Sequence, residues 1–219
     1  GLPNKELPLI LGTNKVPSIF GTSAAARNYF KNLKPDIPLT ITMMVPAFIG
    51  SMAGAAFAAS VPKEFFKPFI VLLLTSVAIY TWRKPELGMS ENLKFTNKKR
   101  LFLVALIGLL IGFYDGIFGP GTGTFLVFFL VSGIGYAFLK ASGTAKLVNI
   151  ATNAGAILSF QIAGHIWWQL GLLLAIANVS GAILGSRLAI KGGSPLVRKV
   201  FLAVTFLLIT RVAWDTFTS

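Results

Sequence analysis

Residues 112–124 read Gly-Phe-Tyr-Asp-Gly-Ile-Phe-Gly-Pro-Gly-Thr-Gly-Thr, with five glycines and one proline. Two strongly apolar runs flank this stretch, 101–111 and 125–134. Glycine is too free to hold a helix and proline lacks the N–H, so the segment interrupts whatever helix the runs begin. In a bilayer, such an interruption survives only inside protein or against a watery cavity, because lipid offers broken backbone no hydrogen bonds. Half-helices meeting at a break, with free N–H groups aimed at an anion, are the usual build of a transporter site.

Composition bears on whether a bilayer is involved at all. The 219 residues are 54% hydrophobic and 12% charged, with a mean hydropathy of +0.74. A soluble domain carries roughly 25% charged residues. The chain therefore reads as an integral membrane protein whose helices cross the bilayer. Its net charge of +13 would suggest nucleic acid in a soluble protein. Here the Lys and Arg lie between apolar runs, the pattern of cytoplasmic loops, and no nucleic-acid partner is expected. The absence of Cys removes disulfides, thiolate metal ligands and cysteine nucleophiles.

Taken in order, the expected spans are about 12–30, 37–60 and 65–82, then a polar stretch 83–100, then 101–118 and 121–135 around the break, and 141–163, 167–190 and 196–217. A crossing needs about 20 apolar residues. The two arms beside the break are shorter, as in a helical hairpin or paired half-helices. The fold class expected is all-α, a polytopic transmembrane bundle. Residues 1–82 form one half, 83–100 a basic cytoplasmic linker and 101–219 the other half.

The halves resemble each other. Gly12-Thr13-Asn14-Lys15-Val16 matches Gly143-Thr144-Ala145-Lys146-Leu147 at an offset of 143 − 12 = 131. At that offset Ile19 meets Ile150, Ala25 meets Ala156, Gly50 meets Gly181, Gly54 meets Gly185 and Ala58 meets Ala189. Two-fold internal repeats are the common ground plan of secondary transporters. The counterpart of residues 112–133 would fall before residue 1, so the chain is expected to lack the first glycine-rich hairpin, a shortfall of roughly 30 residues by the logic of the repeat. Charge sets the orientation. Arg27, Lys31 and Lys34 follow the first span, whereas the matching loop 161–165 has no Lys or Arg. Lys63 and Lys67 are offset by Glu64, whereas the matching 187–199 holds Arg187, Lys191, Arg198 and Lys199 with no acid. The basic bias changes sides, which makes the repeats inverted, with eight crossings here and ten in an intact parent.

Several motifs in order then point to a family. Gly-Thr-Asn-Lys-Val-Pro-Ser-Ile-Phe-Gly-Thr at 12–22, the stretch 113–124, Ser-Gly-Thr-Ala-Lys-Leu-Val-Asn at 142–149 and Thr-Asn-Ala-Gly at 152–155 together resemble the sulfite exporter TauE/SafE family, also called TSUP. The resemblance covers essentially the whole chain. It implies a multi-pass permease of the bacterial inner membrane that moves small sulfur-containing or carboxylate anions, without a cofactor. The chain departs from that family in the missing first glycine-rich segment, which leaves a second reading open: a non-transporting or degenerate paralogue, or an assembly subunit. The partners expected are a small anion and the lipid bilayer, with a homodimer left open.

The candidate substrate contacts are Gly12, Thr13, Asn14, Lys15, Gly143, Thr144 and Lys146 at the two Gly-Thr-x-Lys turns, Gly119, Pro120, Gly121, Thr122 and Gly123 at the break, and Asn149 and Asn153. Each turn is expected to open a helix, adding free N–H groups and a positive dipole end to the lysine. The competing reading is that both lysines snorkel to the interface, as do Lys5 and Lys140. Asp115, the acid inside an apolar run, either carries a coupled proton, pairs with a lysine, or caps broken backbone. Asn149 and Asn153 share a helical face and either line the pathway or join helices. Gly50/Gly54 and Gly181/Gly185 are expected to be close-packing sites. His165 falls beside Trp167 and Trp168 in an outer loop; it has no metal or catalytic partners in sequence, so no metal is expected. No catalytic set is apparent, and the chain is read as a transporter, not an enzyme.

Overall fold

The computed structural model describes residues 6–58 and 66–217, and these are helical, with no strand among them. The helices are α1 (Glu6–Asn32), α2 (Ile37–Phe57), α3 (Phe66–Arg83), α4 (Asn97–Ile117), α5 (Thr122–Phe128, continued by a π-helical turn Phe129–Ile134), α6 (Phe138–Ile162) and α7 (Trp168–Phe217). Lys5, expected at the interface, and Lys63 and Glu64, expected in a loop, lie outside the described residues, as does the side chain of Lys67. Four of the expected boundaries shift. The first span begins earlier, at Glu6. Residues Asn97–Arg100 belong to α4 and not to the linker. The π-helical turn closes the second arm of the break. Residues 187–199, expected as a loop between two spans, hold a kink at Gly193 (φ 63°, ψ −167°) where two helices meet, so the two spans remain separate arms of α7 and only the connection is tighter than expected.

Adding 131 to the helix ranges of the first half brings them close to those of the second. Glu6–Asn32 becomes 137–163, against α6; Ile37–Phe57 becomes 168–188, the first arm of α7; Phe66–Arg83 becomes 197–214, its second arm. The packing follows the same exchange: α1 lies on α7 and α2 on α6, α1 touches α6, and α3 touches α7.

The tightest pairing joins α2 to α4. Its cause is a double row of small residues. A methyl group built on Gly50 would sit 2.2 Å from the Leu109 carbonyl, and one on Gly54 would sit 2.1 Å from that of Phe113. From the other side, Gly112 and Gly116 would each come within 2.2 Å of the carbonyls of Ala47 and Ser51. Small residues let two backbones approach where lipid gives helices no hydrophobic reason to associate. A shared core of Leu39, Met43, Val104, Leu126, Leu130 and Phe138 closes around this seam. Outward, large apolar side chains face the surroundings, among them Leu72, Leu173, Ile176 and Phe206. Two helices meet the length and hydropathy of a crossing by themselves, Ile37–Phe57 and Lys98–Ile117; Ile70–Arg83 and Thr122–Ile134 are apolar but shorter.

The polar linker is tied down. The Asn92 N–H donates to the Gly135 carbonyl at 2.7 Å, the Lys94 N–H to that of Ile134 at 3.1 Å, and the Phe138 N–H to that of Gly88 at 2.7 Å. Lys140, expected at the interface, pairs there with Glu91 at 2.9 Å. At the same end Asp36 caps α2, accepting from the Leu39 N–H, and also accepts from the Tyr136 hydroxyl at 3.2 Å. Burial first, then the Asp36 charge, raise the Tyr136 pKa, so the hydroxyl stays a donor.

Replacing Gly54 by Leu should lower stability by about 1–3 kcal/mol or prevent folding, through overpacking against the Phe113 carbonyl. Val45→Leu, at a site 56% exposed, should be neutral. Thermal melting in detergent checks both, and equal melting of the two variants contradicts the seam.

Candidate functional site

α4 ends at Ile117, and Gly119 and Gly121 both take φ +85° before α5 begins. That left-handed backbone favours glycine at both positions. The freed groups are gathered locally. The Phe118 N–H donates to the Tyr114 carbonyl at 2.9 Å and the Thr122 N–H to that of Gly119 at 3.2 Å. The Tyr114 hydroxyl donates to the Pro120 carbonyl. The Thr122 hydroxyl lies 2.8 Å from both Asp115 Oδ1 and the Gly119 carbonyl.

The charge at the break comes from another helix. Lys15 Nζ, on α1, lies 2.9 Å from Asp115 Oδ2 and donates to the Asp115 backbone carbonyl at 2.7 Å. Both side chains are only 7% exposed. One ammonium thus satisfies a carboxylate and an orphan carbonyl in the last turn of α4, where the helix dipole favours a cation. Of the alternatives left open for Asp115, the pairing with a lysine is the one observed. Lys15 does not snorkel.

Beside this pair is a cavity of about 280 Å³. Asn14, Ser18 and Thr22 enter it from α1, Asn149 and Asn153 from α6, and Gly119–Gly123 from the break. Asn153 is 5% exposed and makes no hydrogen bond among the described residues. Asn149 Oδ1 is buried without a partner. Buried polar atoms left unpaired cost free energy unless something fills the space. A cavity this size holds a small oxyanion with a few waters, a water taking about 30 Å³.

Lys146 stands on the far side of the same wall. It lines a second cavity, of about 710 Å³, shared with Gly121, Gly123 and Asn149. It has no ion-pair or hydrogen-bond partner among the described residues. The break therefore lies between the two lysines, with Asn149, Gly121 and Gly123 common to both cavities.

Two expectations about the Gly-Thr turns need correction. Neither turn opens a helix: α1 starts at Glu6 and α6 at Phe138, so Lys15 and Lys146 sit in helix interiors and no free N–H groups flank them. Nor do the Gly-Thr pairs reach the polar cavity, although Asn14 and Lys15 beside the first pair line it. A methyl on Gly12 would meet the His165 carbonyl at 2.2 Å, and Thr13 Oγ1 accepts from the Trp167 N–H at 2.9 Å. Gly143 packs near Tyr29, and Thr144 is 1% exposed. Gly12, Thr13 and Gly143 lie at contacts between helices, and the Thr144 hydroxyl is buried without a partner. Small residues at such positions serve close approach as readily as they start helices. Gly181 and Gly185 also depart from expectation, as nothing approaches them within 4 Å.

Ser18 and Thr22 were missed. With Asn14 they recur every four residues, a polar stripe on an otherwise apolar helix, which periodicity could have shown.

The comparisons with known proteins agree with this picture. The chain matches the family described as sulfite exporter TauE/SafE over residues 6–212. The chain belongs to the sulfite exporter TauE/SafE family. A probable membrane transporter protein, ORF9 of a Sinorhizobium species, is 34% identical over 94% of this chain and 78% of its own length. The probable membrane transporter protein YfcA of Escherichia coli K12 is 31% identical over 94% and 76%. One from Haemophilus influenzae is 28% identical over 94% and 80%. No solved structure matches. TauE/SafE proteins are membrane transporters, not enzymes, and the chain is a membrane protein of this family.

Removing one partner of the buried pair, by Lys15→Met or Asp115→Asn, should cost about 3–5 kcal/mol, and Lys15→Met/Asp115→Leu together less than the sum. Thermal unfolding of the four proteins in one detergent gives the cycle. Additive losses would mean that the two side chains do not interact.

Proposed function

We propose that this chain is a secondary transporter that carries small anions of the sulfite, sulfonate or carboxylate type across the bacterial inner membrane. The observation that carries the proposal is the polar cavity at the broken span, lined by the buried Asn153 and by Asn149, whose Oδ1 is buried without a partner. The Asn14, Asn149 and Asn153 amide N–H groups and the glycine backbone of Gly119–Gly123 offer donors there, suited to an oxyanion, while the Ser18, Thr22 and Thr122 hydroxyl protons are already donated within the protein.

The Lys15–Asp115 pair leaves this cavity near neutral, so an anion is held by donors and not trapped by net charge. Lys146, uncompensated behind the shared wall, adds positive potential from the second side. The substrate contacts are thereby Asn14, Gly119, Pro120, Gly121, Thr122, Gly123, Asn149 and Asn153, with Lys15 holding Asp115 in place. The Asp115 carboxylate, bound to Lys15 and Thr122, is the group at the site that can carry a coupled proton, and its protonation would release Lys15 toward the anion.

Reconstitution of the full gene product in liposomes tests the reading. Labelled sulfite, an aryl sulfonate and a short carboxylate are offered beside a neutral and a cationic solute. Anion uptake is expected, and Asn153→Ala should reduce it about 10-fold, for a lost hydrogen bond to a charged group of about 1.5 kcal/mol. Leu72→Ala, 64% exposed on the outer surface, should leave it unchanged. Uptake of the cation alone, or of nothing, would refute the proposal, and the second outcome would favour the non-transporting paralogue.

A further inference from the structure

The two cavities beside the break follow one another along α6. Asn153 and Asn149 line the polar one, whereas Asn149, Lys146 and Ser142 line the larger one. These four polar residues are spaced 4, 3 and 4 apart, so they share one face of the helix over about 16 Å. α1 shows the same succession: Asn14, Ser18 and Thr22 border the polar cavity, and Tyr29 the larger one. The larger cavity lies toward the end of α6 that the linker ties, because the N–H of Phe138, four residues before Ser142, donates to the Gly88 carbonyl. On that side Lys146 also borders an open socket of about 450 Å³ beside Gly181 and Gly185.

The partition between the cavities is thin. Gly121, Gly123 and Asn149 belong to both linings, and of these only Asn149 has a side chain. A methyl group built on Gly123 would come no nearer than 3.7 Å to Asn149 Nδ2, so the space above this glycine is open as far as that amide. Asn149 Oδ1 is buried without a partner, and no bond to that atom fixes the amide across the opening.

The charge differs on the two sides. Lys15 and Asp115 offset each other at the polar cavity. Among the described residues that line the larger one, Lys146 is the one charged group, set among mostly apolar walls. A lone ammonium in such surroundings attracts an anion and repels a cation.

Resting on the anion transporter proposed above, we infer that the polar face of α6 is the passage of the anion, with Asn149 as its gate and Lys146 as a second binding station. An anion held by amide donors at the break crosses over Gly123 as the Asn149 side chain turns aside. It then pairs with the Lys146 ammonium and leaves past Ser142 toward the linker side.

The 219 residues hold no Cys, so Ser142→Cys is a single reporter beyond the partition. Two thiosulfonate reagents of equal size, one ending in a sulfonate and one in a trimethylammonium, are applied to cells and to inverted vesicles, which present opposite faces of the membrane. From the face remote from the linker, the sulfonate should react about 10-fold faster than the ammonium, the low end of what a focused charge gives. Lys146→Met should remove that preference. Gly123→Leu, which fills the partition, should abolish labelling from the remote face and spare labelling from the linker face, the second result showing that the variant folds. If it does not fold, Gly123→Ala takes its place and should slow the remote reaction alone. In liposomes, Lys146→Met should lower maximal anion uptake with little change in the half-saturating concentration, and Lys146→Arg should restore it. Equal rates for the two reagents with Lys146 in place, or remote labelling untouched by both Gly123 variants, would overturn the passage; anion uptake alongside either result would leave the proposed function standing. Anion-selective labelling that depends on Gly123, in a protein that takes up no solute, would refute the proposed function and still establish the passage.

Discussion

An ammonium from α1 makes the interrupted span tenable. Lys15 reaches Asp115 twice, at its carboxylate and at its backbone carbonyl. Without it, α4 would end in apolar surroundings with a buried negative charge and an orphan acceptor, each costing several kcal/mol in hydrocarbon. With it, Gly119 and Gly121 turn the chain back, and Thr122 ties the start of α5 to the same carboxylate. The break is therefore a tertiary feature, because a residue one hundred positions away completes it.

That contact demands close helices, and the glycines supply the closeness. α4 lies near enough to α2 for its carbonyls to take the space a side chain would need at Gly50 and Gly54. Rigid backbone contact on one side of α4 and a charged anchor on the other leave its C-terminal turn little freedom. Asn149 and Asn153, on α6, then face a space that is shaped but not filled. Lining groups held this way are preorganised, which spares a ligand part of the ordering cost of binding.

Much of this architecture was readable in the residues. Five glycines and a proline between apolar runs marked the break between α4 and α5. The asparagines on one face of α6 fell where the polar cavity is. The Gly-Thr pairs misled, because glycine before threonine reads locally as a helix start, yet in a packed bundle it marks a helix crossing. Gly12 lies against the His165 carbonyl and Thr13 against the Trp167 N–H, contacts across more than 150 residues that no window of sequence contains. The same limit hid the asymmetry of the lysines. Lys15 and Lys146 are alike in sequence and register, and only the partner brought by α4 distinguishes them. The division of α7 into two arms was legible in the Gly-Gly-Ser-Pro run, but not its tightness: the change of direction takes place at one residue, Gly193.

Thr22 has a position that no other hydroxyl on α1 shares. It borders the polar cavity on one side and the glycine socket on the other, while its own hydroxyl is occupied by the Ser18 carbonyl. Its hydroxyl proton is spent within α1, and its oxygen is left as an acceptor only. One side chain is thus a wall common to both compartments, so a larger residue at this position would intrude on both.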